Sequence, residues 1–230
     1  MYKPEEKIDN TLTTRLRDKI KEKLTPKIAK IFSPTALTVM GLIASIFAGL
    51  CFYLSNFHEY WLFIGAAAIF VNCFADEFDG AVARFKKQIS GHGFFIDRMC
   101  DQLGIFFVLL GLGLSPLMHL SLALILVVLY FIIAMNTFLM AYATGKFRIS
   151  YGLFGPVEMR LGMVVYFVLS PFSPFYKYPY LMFDTKFLGL QGIKGLDVVA
   201  FIGIILFTII AVYSICSSIY VLAKARKNNS

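Results

Sequence analysis

The sequence predicts an all-α integral membrane protein, with six transmembrane helices preceded by an N-terminal amphipathic helix in the membrane interface. Three observations lead there. The 230 residues are 58% hydrophobic with a mean hydropathy of +0.72, and the apolar residues come in near-continuous runs long enough to span a bilayer. The residues before the first run repeat an apolar position every fourth residue among lysines and arginines, as an interfacial helix does. The basic residues collect on alternate connections between the runs.

Residues 1–33 form the first segment. Ile8, Leu12, Leu16, Ile20, Leu24 and Ile28 recur among Arg15, Arg17, Lys19, Lys21, Lys23 and Lys27. Asp9 or Asn10 is the expected N-cap and Pro26 the expected kink. The competing reading is an arm that docks on the protein itself. No short apolar core with a small-residue cleavage site occurs here, so a secretory signal is not expected. Residues 34–230 form the membrane domain. Pro34 fixes the chain before the first run, about Ala36 to Leu54. The second begins at the interfacial pair Tyr60 and Trp61 and runs through Asn72. The third covers about Gly93 to Leu114 and the fourth about Met118 to Ala143. The fifth starts after Gly155-Pro156 and stops near Pro171 to Pro174, ahead of the longest loop. The sixth covers about Val198 to Leu222.

Six spans place both termini on one side. On that side fall the basic residues before residue 31, then Arg84, Lys86 and Lys87, then Lys146 and Arg148, then Lys224, Arg226 and Lys227. Only Lys177, Lys186 and Lys194 fall on the other, which makes the termini cytoplasmic. A net charge of +8 and a pI near 9.3 also raise nucleic acid as a partner. The basic residues flank the apolar segments instead, so membrane lipids are the expected contact and nucleic acid is not. The four cysteines lie in apolar runs without paired metal-ligand spacing and read as packing residues.

Charge inside the apolar sequence is concentrated between Asp76 and Asp101, D-E-F-D-G-A-V-A-R-F-K-K-Q-I-S-G-H-G-F-F-I-D-R-M-C-D. An ionisable group at membrane depth is costly unless paired, hydrated or metal-bound. Asp76 and Asp79 are three apart and Asp97 and Asp101 four apart, so each pair shares a helix face. Two such faces turned together gather four carboxylates, whose repulsion a divalent cation, or two, would relieve. Glu77 is rotated about 100° away by the helical period and reads as a rim position. Asn72, one turn before Asp76, reads equally as support for the carboxylates or as a helix-to-helix hydrogen bond. Gly80, Ala83 and Gly93 allow close backbone approach, and Arg84 is suited to phosphate.

The spacing D-x2-D-G-x2-A-R-x8-G-x3-D-x3-D resembles the signature of the CDP-alcohol phosphotransferases, met by Asp76, Asp79, Gly80, Ala83, Arg84, Gly93, Asp97 and Asp101. Ser33-Pro34-Thr35-Ala36-Leu37-Thr38 is similar to that family's Pro-Asn-x-x-Thr lead, with Thr35 in place of the asparagine. The resemblance implies transfer of a substituted phosphate from a CDP-linked lipid or alcohol to an acceptor hydroxyl, with release of CMP. It implies two metal ions, Mg2+ or Mn2+, on Asp76, Asp79, Asp97 and Asp101, and hard oxygen ligands agree. By the same analogy Asp101 takes the acceptor's proton, and Gly80, Ala83, Arg84 and Gly93 accept the CDP moiety. Many family members form homodimers through spanning helices, on which the sequence is silent.

Two branches of the family fit. In the preferred one a phosphatidyl group passes from CDP-diacylglycerol to a small polar alcohol, phosphorylated or not, and Lys146, Arg148 and Arg160 are the expected contacts for a phosphate on it. In the other, CDP-choline or CDP-ethanolamine reacts with diacylglycerol. Gly155-Pro156-Val157-Glu158 is similar to a Gly-Pro-x-Glu element of that second branch, with Glu158 toward an ammonium. A third reading from another class, an ion- or proton-coupled transporter, explains buried carboxylates but not the small residues and arginine at these offsets.

Overall fold

The computed structural model describes residues 14–144, 156–172 and 194–228, which form helices joined by short turns with no strand among them. The helices are α1 (Thr14–Ile31), α2 (Pro34–Leu54), α3 (Tyr60–Phe85), α4 (Gly91–Gly113), α5 (Leu120–Thr144), α6 (Pro156–Leu169, followed by a 3-10 turn Ser170–Phe172) and α7 (Asp197–Asn228). Four of them, α2, α3, α5 and α7, are long and apolar enough to cross a membrane. This is the architecture of a multi-pass membrane protein. α4 has the length, at 23 residues, but carries Asp97, Arg98 and Asp101 within it. α6 has only 14 residues, and a 3-10 turn extends it.

Local chemistry sets the helix ends nearest the carboxylates. Ser33 caps α2, its hydroxyl accepting from Ala36 N at 3.1 Å, with Pro34 at the first helical position. Ser90 caps α4 in the same way, accepting from Gly93 N at 3.0 Å. Between α3 and α4 the chain turns through Lys87, whose φ of 55° is left-handed, and Gln88 N closes the turn on Ala83 O at 2.9 Å. The expected N-cap at Asp9 or Asn10 lies outside the described residues. α1 continues past Pro26 to Ile31.

α2 packs against both α3 and α4. The approach to α4 is close because Gly49 and Gly111 face each other, and a methyl group built on Gly111 would overlap the carbonyl of Gly49. The main core gathers Ala48 and Phe52 of α2, Leu62 and Ile69 of α3, Leu112 of α4, Leu122 of α5 and Phe167 of α6. Phe52 and Phe167 stack with ring centroids 4.3 Å apart. A second core ties α1 to this bundle through Ala29, Leu37, Phe78 and Val82, with Leu24 and Ile28 alongside. Ion pairs from Lys21 and Arg17 to Glu77 add to it. α1 thus packs on α2 and α3, meeting Glu77 by ion pairs and Leu37, Phe78 and Val82 by apolar contact.

At the far end of α4 a polar latch joins the α4–α5 turn to the start of α7. Asp197, almost fully buried, accepts from His119 N at 2.9 Å and from Lys194 N at 2.6 Å, and meets His119 Nδ1 at 2.6 Å. The Lys194 ammonium donates to Ser115 O and Met118 O at 3.2 and 3.1 Å. Burial pulls this ammonium below its ordinary pKa, with Asp197 opposing the shift. α5 and α7 pair along their length, and Asn136 Nδ2 donates across to Ser214 and Ser218 at 2.7 and 3.2 Å.

Candidate active site

α3 and α4 bring their aspartates together as the spacing predicts. Carboxylate oxygens of Asp76, Asp97 and Asp101 lie within 4.8 Å of one another. Oxygens around one hard divalent cation sit about 2.0–2.6 Å from it, so three carboxylates at this separation fit a single ion after small side-chain rotations. Asp79 is more deeply buried than these three and opens on the same cavity, lined by Thr38, Gly41, Leu42, Asn72, Asp76, Asp79, Asp97, Cys100 and Asp101. A second ion would need Asp79. The donor set is all carboxylate oxygen, which suits Mg2+ or Mn2+ and not a thiolate- or imidazole-seeking metal.

Two guanidiniums offset the negative charge. Arg160, from α6, hydrogen-bonds Asp76 Oδ2 and lies 3.7 Å from Asp101 Oδ1. Arg98, one residue after Asp97, donates to Asp97 Oδ2 at 3.1 Å and to Asp101 Oδ2 at 3.3 Å. Its guanidinium carbon also sits 5.6 Å from the centroid of the Phe94 ring. Sequence reasoning assigned Arg160 to an anionic acceptor, and the helices place it on the carboxylates. It assigned no role to Arg98, although a charged residue inside an apolar run beside a signature aspartate was the available signal.

The signature's small residues border the site. A methyl group added at Gly80 would meet only Arg84 Nη1, at 3.5 Å, and one at Gly93 only Ser90 Oγ, at 3.2 Å. Ala83 is half-buried. Arg84 is not on the carboxylates. Eight residues after Asp76, it lies about 12 Å further along the helix. It is exposed and lines a groove against α1 with Asp18, Lys21, Glu22 and Thr25. Asn72 donates to Gly41 O at 3.0 Å, so it makes a helix-to-helix hydrogen bond while lining the cavity. Thr38 of α2 was not given a role from the sequence, yet its hydroxyl bonds Asp79 at 2.9 Å. Lys146 and Arg148 lie outside the described residues, and of Glu158 only the backbone, in α6, is described.

The family profile for CDP-alcohol phosphatidyltransferase matches residues 31–215. The chain belongs to that family. Its matched region contains all four signature aspartates and Arg160. Among curated CDP-alcohol phosphatidyltransferase relatives, an archaetidylinositol phosphate synthase of Pyrococcus horikoshii is 29% identical over 113 residues, 47% of this chain and 57% of that protein. A bifunctional IPC transferase and DIPP synthase of Aquifex aeolicus is 24% identical over 143 residues, 62% of this chain and 31% of that protein. The chain thus spans 57% and 31% of the lengths of these relatives. A solved phosphatidylinositol phosphate synthase of Mycobacterium tuberculosis with CDP-DAG bound superposes with a TM-score of 0.62 at 20% identity, covering 89% of this chain and 94% of that one. Its apo form gives 0.55 at 22% identity, covering 88% and 93%. These likenesses show a shared fold.

Proposed function

We propose that this protein transfers a phosphatidyl group from CDP-diacylglycerol to the hydroxyl of a small polar alcohol that itself carries a phosphate, releasing CMP. The observation that carries this reading is Arg160. A permanent cation delivered from α6 to Asp76 and Asp101 stands beside the carboxylate that by family analogy receives the acceptor's proton. An acceptor anchored by its phosphate on Arg160 would present its hydroxyl there. Lys146 and Arg148 are the further cations proposed for that phosphate. The names of the relatives support the same branch, since archaetidylinositol phosphate synthase and phosphatidylinositol phosphate synthase each name a phosphorylated alcohol product.

Asp76, Asp79, Asp97 and Asp101 would hold Mg2+ or Mn2+, which when bound neutralises pyrophosphate charge and polarises the phosphoryl group under attack. The chain's own residues do the rest. Gly80, Ala83 and Gly93 leave room for the nucleotide on the side of α3 and α4 where added methyl groups would meet few protein atoms. Arg84, whose Nη1 an added methyl on Gly80 would meet at 3.5 Å, would contribute charge to the CDP moiety. Asp101 takes the proton from the attacking hydroxyl, and Arg98 and Arg160, both on Asp101, orient its two oxygens. α4 and α6 complete six spans, α1 lies in the interface, and the site opens to the cytoplasm, with residues 34–230 as the catalytic unit.

The test is an assay of purified protein in detergent with Mg2+ or Mn2+. One set pairs CDP-diacylglycerol with phosphorylated and unphosphorylated alcohols, and the other pairs CDP-choline or CDP-ethanolamine with diacylglycerol. CMP release with phosphorylated acceptors in the first set is expected. Turnover confined to the second set would overturn the reading and point to Glu158 as the acceptor-side determinant.

A further inference from the structure

Among the four carboxylates Asp79 is set apart. Arg160 and Arg98 bond the other three, whereas the groups on Asp79 are neutral: the Thr38 hydroxyl on Oδ2 at 2.9 Å and the Gly80 N–H on Oδ1. Both oxygens are therefore held, one from α2 and one from the backbone of α3. A carboxylate offers about four lone-pair sites, so each oxygen keeps one for the cavity it shares with Asp76, Asp97 and Asp101. Thr38 is β-branched, which restricts its side-chain rotamer, and of the two acceptors its single hydroxyl proton can reach, Asp79 Oδ2 at 2.9 Å is nearer than Pro34 O at 3.2 Å.

The pairing of α2 with α3 is held on either side of this contact. At one end of the pairing Lys86 Nζ donates to Phe32 O at 2.9 Å. Further along the pairing Asn72 Nδ2 donates to Gly41 O at 3.0 Å, and Gly41 faces Ala75, whose Cβ an added methyl would meet in ordinary contact at 3.4 Å. The Thr38–Asp79 bond lies between these two ties, so neither helix needs it for register. What it does fix is the direction of one carboxylate.

We infer that Thr38 is a positioning residue for the metal site: its hydroxyl orients Asp79 as a ligand and thereby sets the affinity of the site for its divalent cation. This rests on the metal-site reading above, and not on the identity of the acceptor. Hydrogen-bond partners of metal ligands characteristically change metal affinity about 10- to 100-fold when removed. Thr38→Val keeps shape and branching and deletes the hydroxyl. Thr38→Ser keeps the hydroxyl and deletes the methyl.

The experiment is direct Mn2+ binding to the full chain in detergent, without substrate, by titration calorimetry or the loss of free-Mn2+ paramagnetic resonance signal. Thr38→Val is expected to raise the Mn2+ Kd about 10- to 100-fold, and Thr38→Ser to stay within about threefold of wild type. In turnover, Thr38→Val should raise the half-saturating Mn2+ concentration and recover rate at excess Mn2+. Wild-type affinity in Thr38→Val overturns the inference, and so does an equal loss in Thr38→Ser, which would assign the effect to the methyl group. If Thr38→Val does not fold, Thr38→Ala removes the same hydroxyl and is compared with Thr38→Ser. Wild-type protein that binds Mn2+, loses it on Thr38→Val and turns over no CDP-linked substrate supports the inference while sinking the transferase reading.

Discussion

A carboxylate becomes a functional group here through its neighbours. Asp76, Asp97 and Asp101 are each matched to a guanidinium and to each other within 4.8 Å, an arrangement whose purpose is charge. Replacing any one with the isosteric amide keeps the volume and removes a ligand. Asp76→Asn, Asp97→Asn and Asp101→Asn should each bring CMP release below about a tenth of wild type while elution from gel filtration in detergent is unchanged; any of them keeping more activity would contradict a metal-dependent mechanism. Arg160→Ala removes the cation proposed for the acceptor's phosphate. Losing a charge-assisted contact of about 1.5–3 kcal/mol should raise the acceptor KM about 10- to 150-fold with little change in the KM for CDP-diacylglycerol. A larger change for the lipid donor would place Arg160 on the other substrate. At this scale the aspartates were legible because their spacing is a helical period. Thr38 and Arg98 were not. Thr38 meets its partner 41 residues away, across an interface no local pattern encodes, and Arg98, inside an apolar run beside Asp97, was given no role.

Helices hold those side chains through two kinds of contact, backbone crossing and polar pinning. Gly49 and Gly111 let α2 and α4 cross at backbone distance, so Gly111→Val forces the helices apart. Overpacking of this kind costs about 1–3 kcal/mol or more, and thermal unfolding in detergent should fall accordingly while Gly162→Ala, with nothing near its added methyl, should not lower it comparably. Polar pinning holds α1. Glu77, taken from its helical phase as a rim position, meets both Lys21 and Arg17, because α1 folds back over the face of α3 that carries it. Glu77→Gln should leave the bundle intact and loosen α1, read as faster trypsin cleavage at Lys19 and Lys23. No change in that rate would mean that the contacts of Ala29 and Ile28 with Phe78 and Val82 hold α1 alone. The amphipathic period of residues 8–28 announced a helix but not its partner, since a membrane interface and a protein groove ask for the same pattern.

For the whole molecule, hydropathy made the helices readable in order: α2, α4 and α5 begin and end within two residues of the expected runs, while α7 continues to Asn228, past the expected end at Leu222. What hydropathy reads less surely is which of them cross. α4 holds two aspartates and an arginine, and α6 has 14 residues, because the helices that build a charged site are the ones whose composition departs from a lipid-facing span. α5 and α7, by contrast, turn Leu124, Val128, Ile202, Ile205 and Ile209 outward, as lipid-facing helices do. The proposed six crossings would put Lys21 of α1, Lys87 of the α3–α4 turn and Lys224 of α7 on one side and Lys194 on the other. The latch of Asp197 with His119 and Lys194 would then close the far side, opposite the carboxylates. Single cysteines introduced at Lys23, Lys87 and Lys224 in a background lacking the native ones should react with an impermeant maleimide only from the cytoplasmic face. A cysteine at Glu59, before α3, should react only from the other. Labelling of positions 87 and 224 from opposite faces would make the number of crossings between α4 and α7 odd, leaving either α4 or α6 outside the set of spans and requiring that the short α6 bring Arg160 to Asp76 without traversing the bilayer.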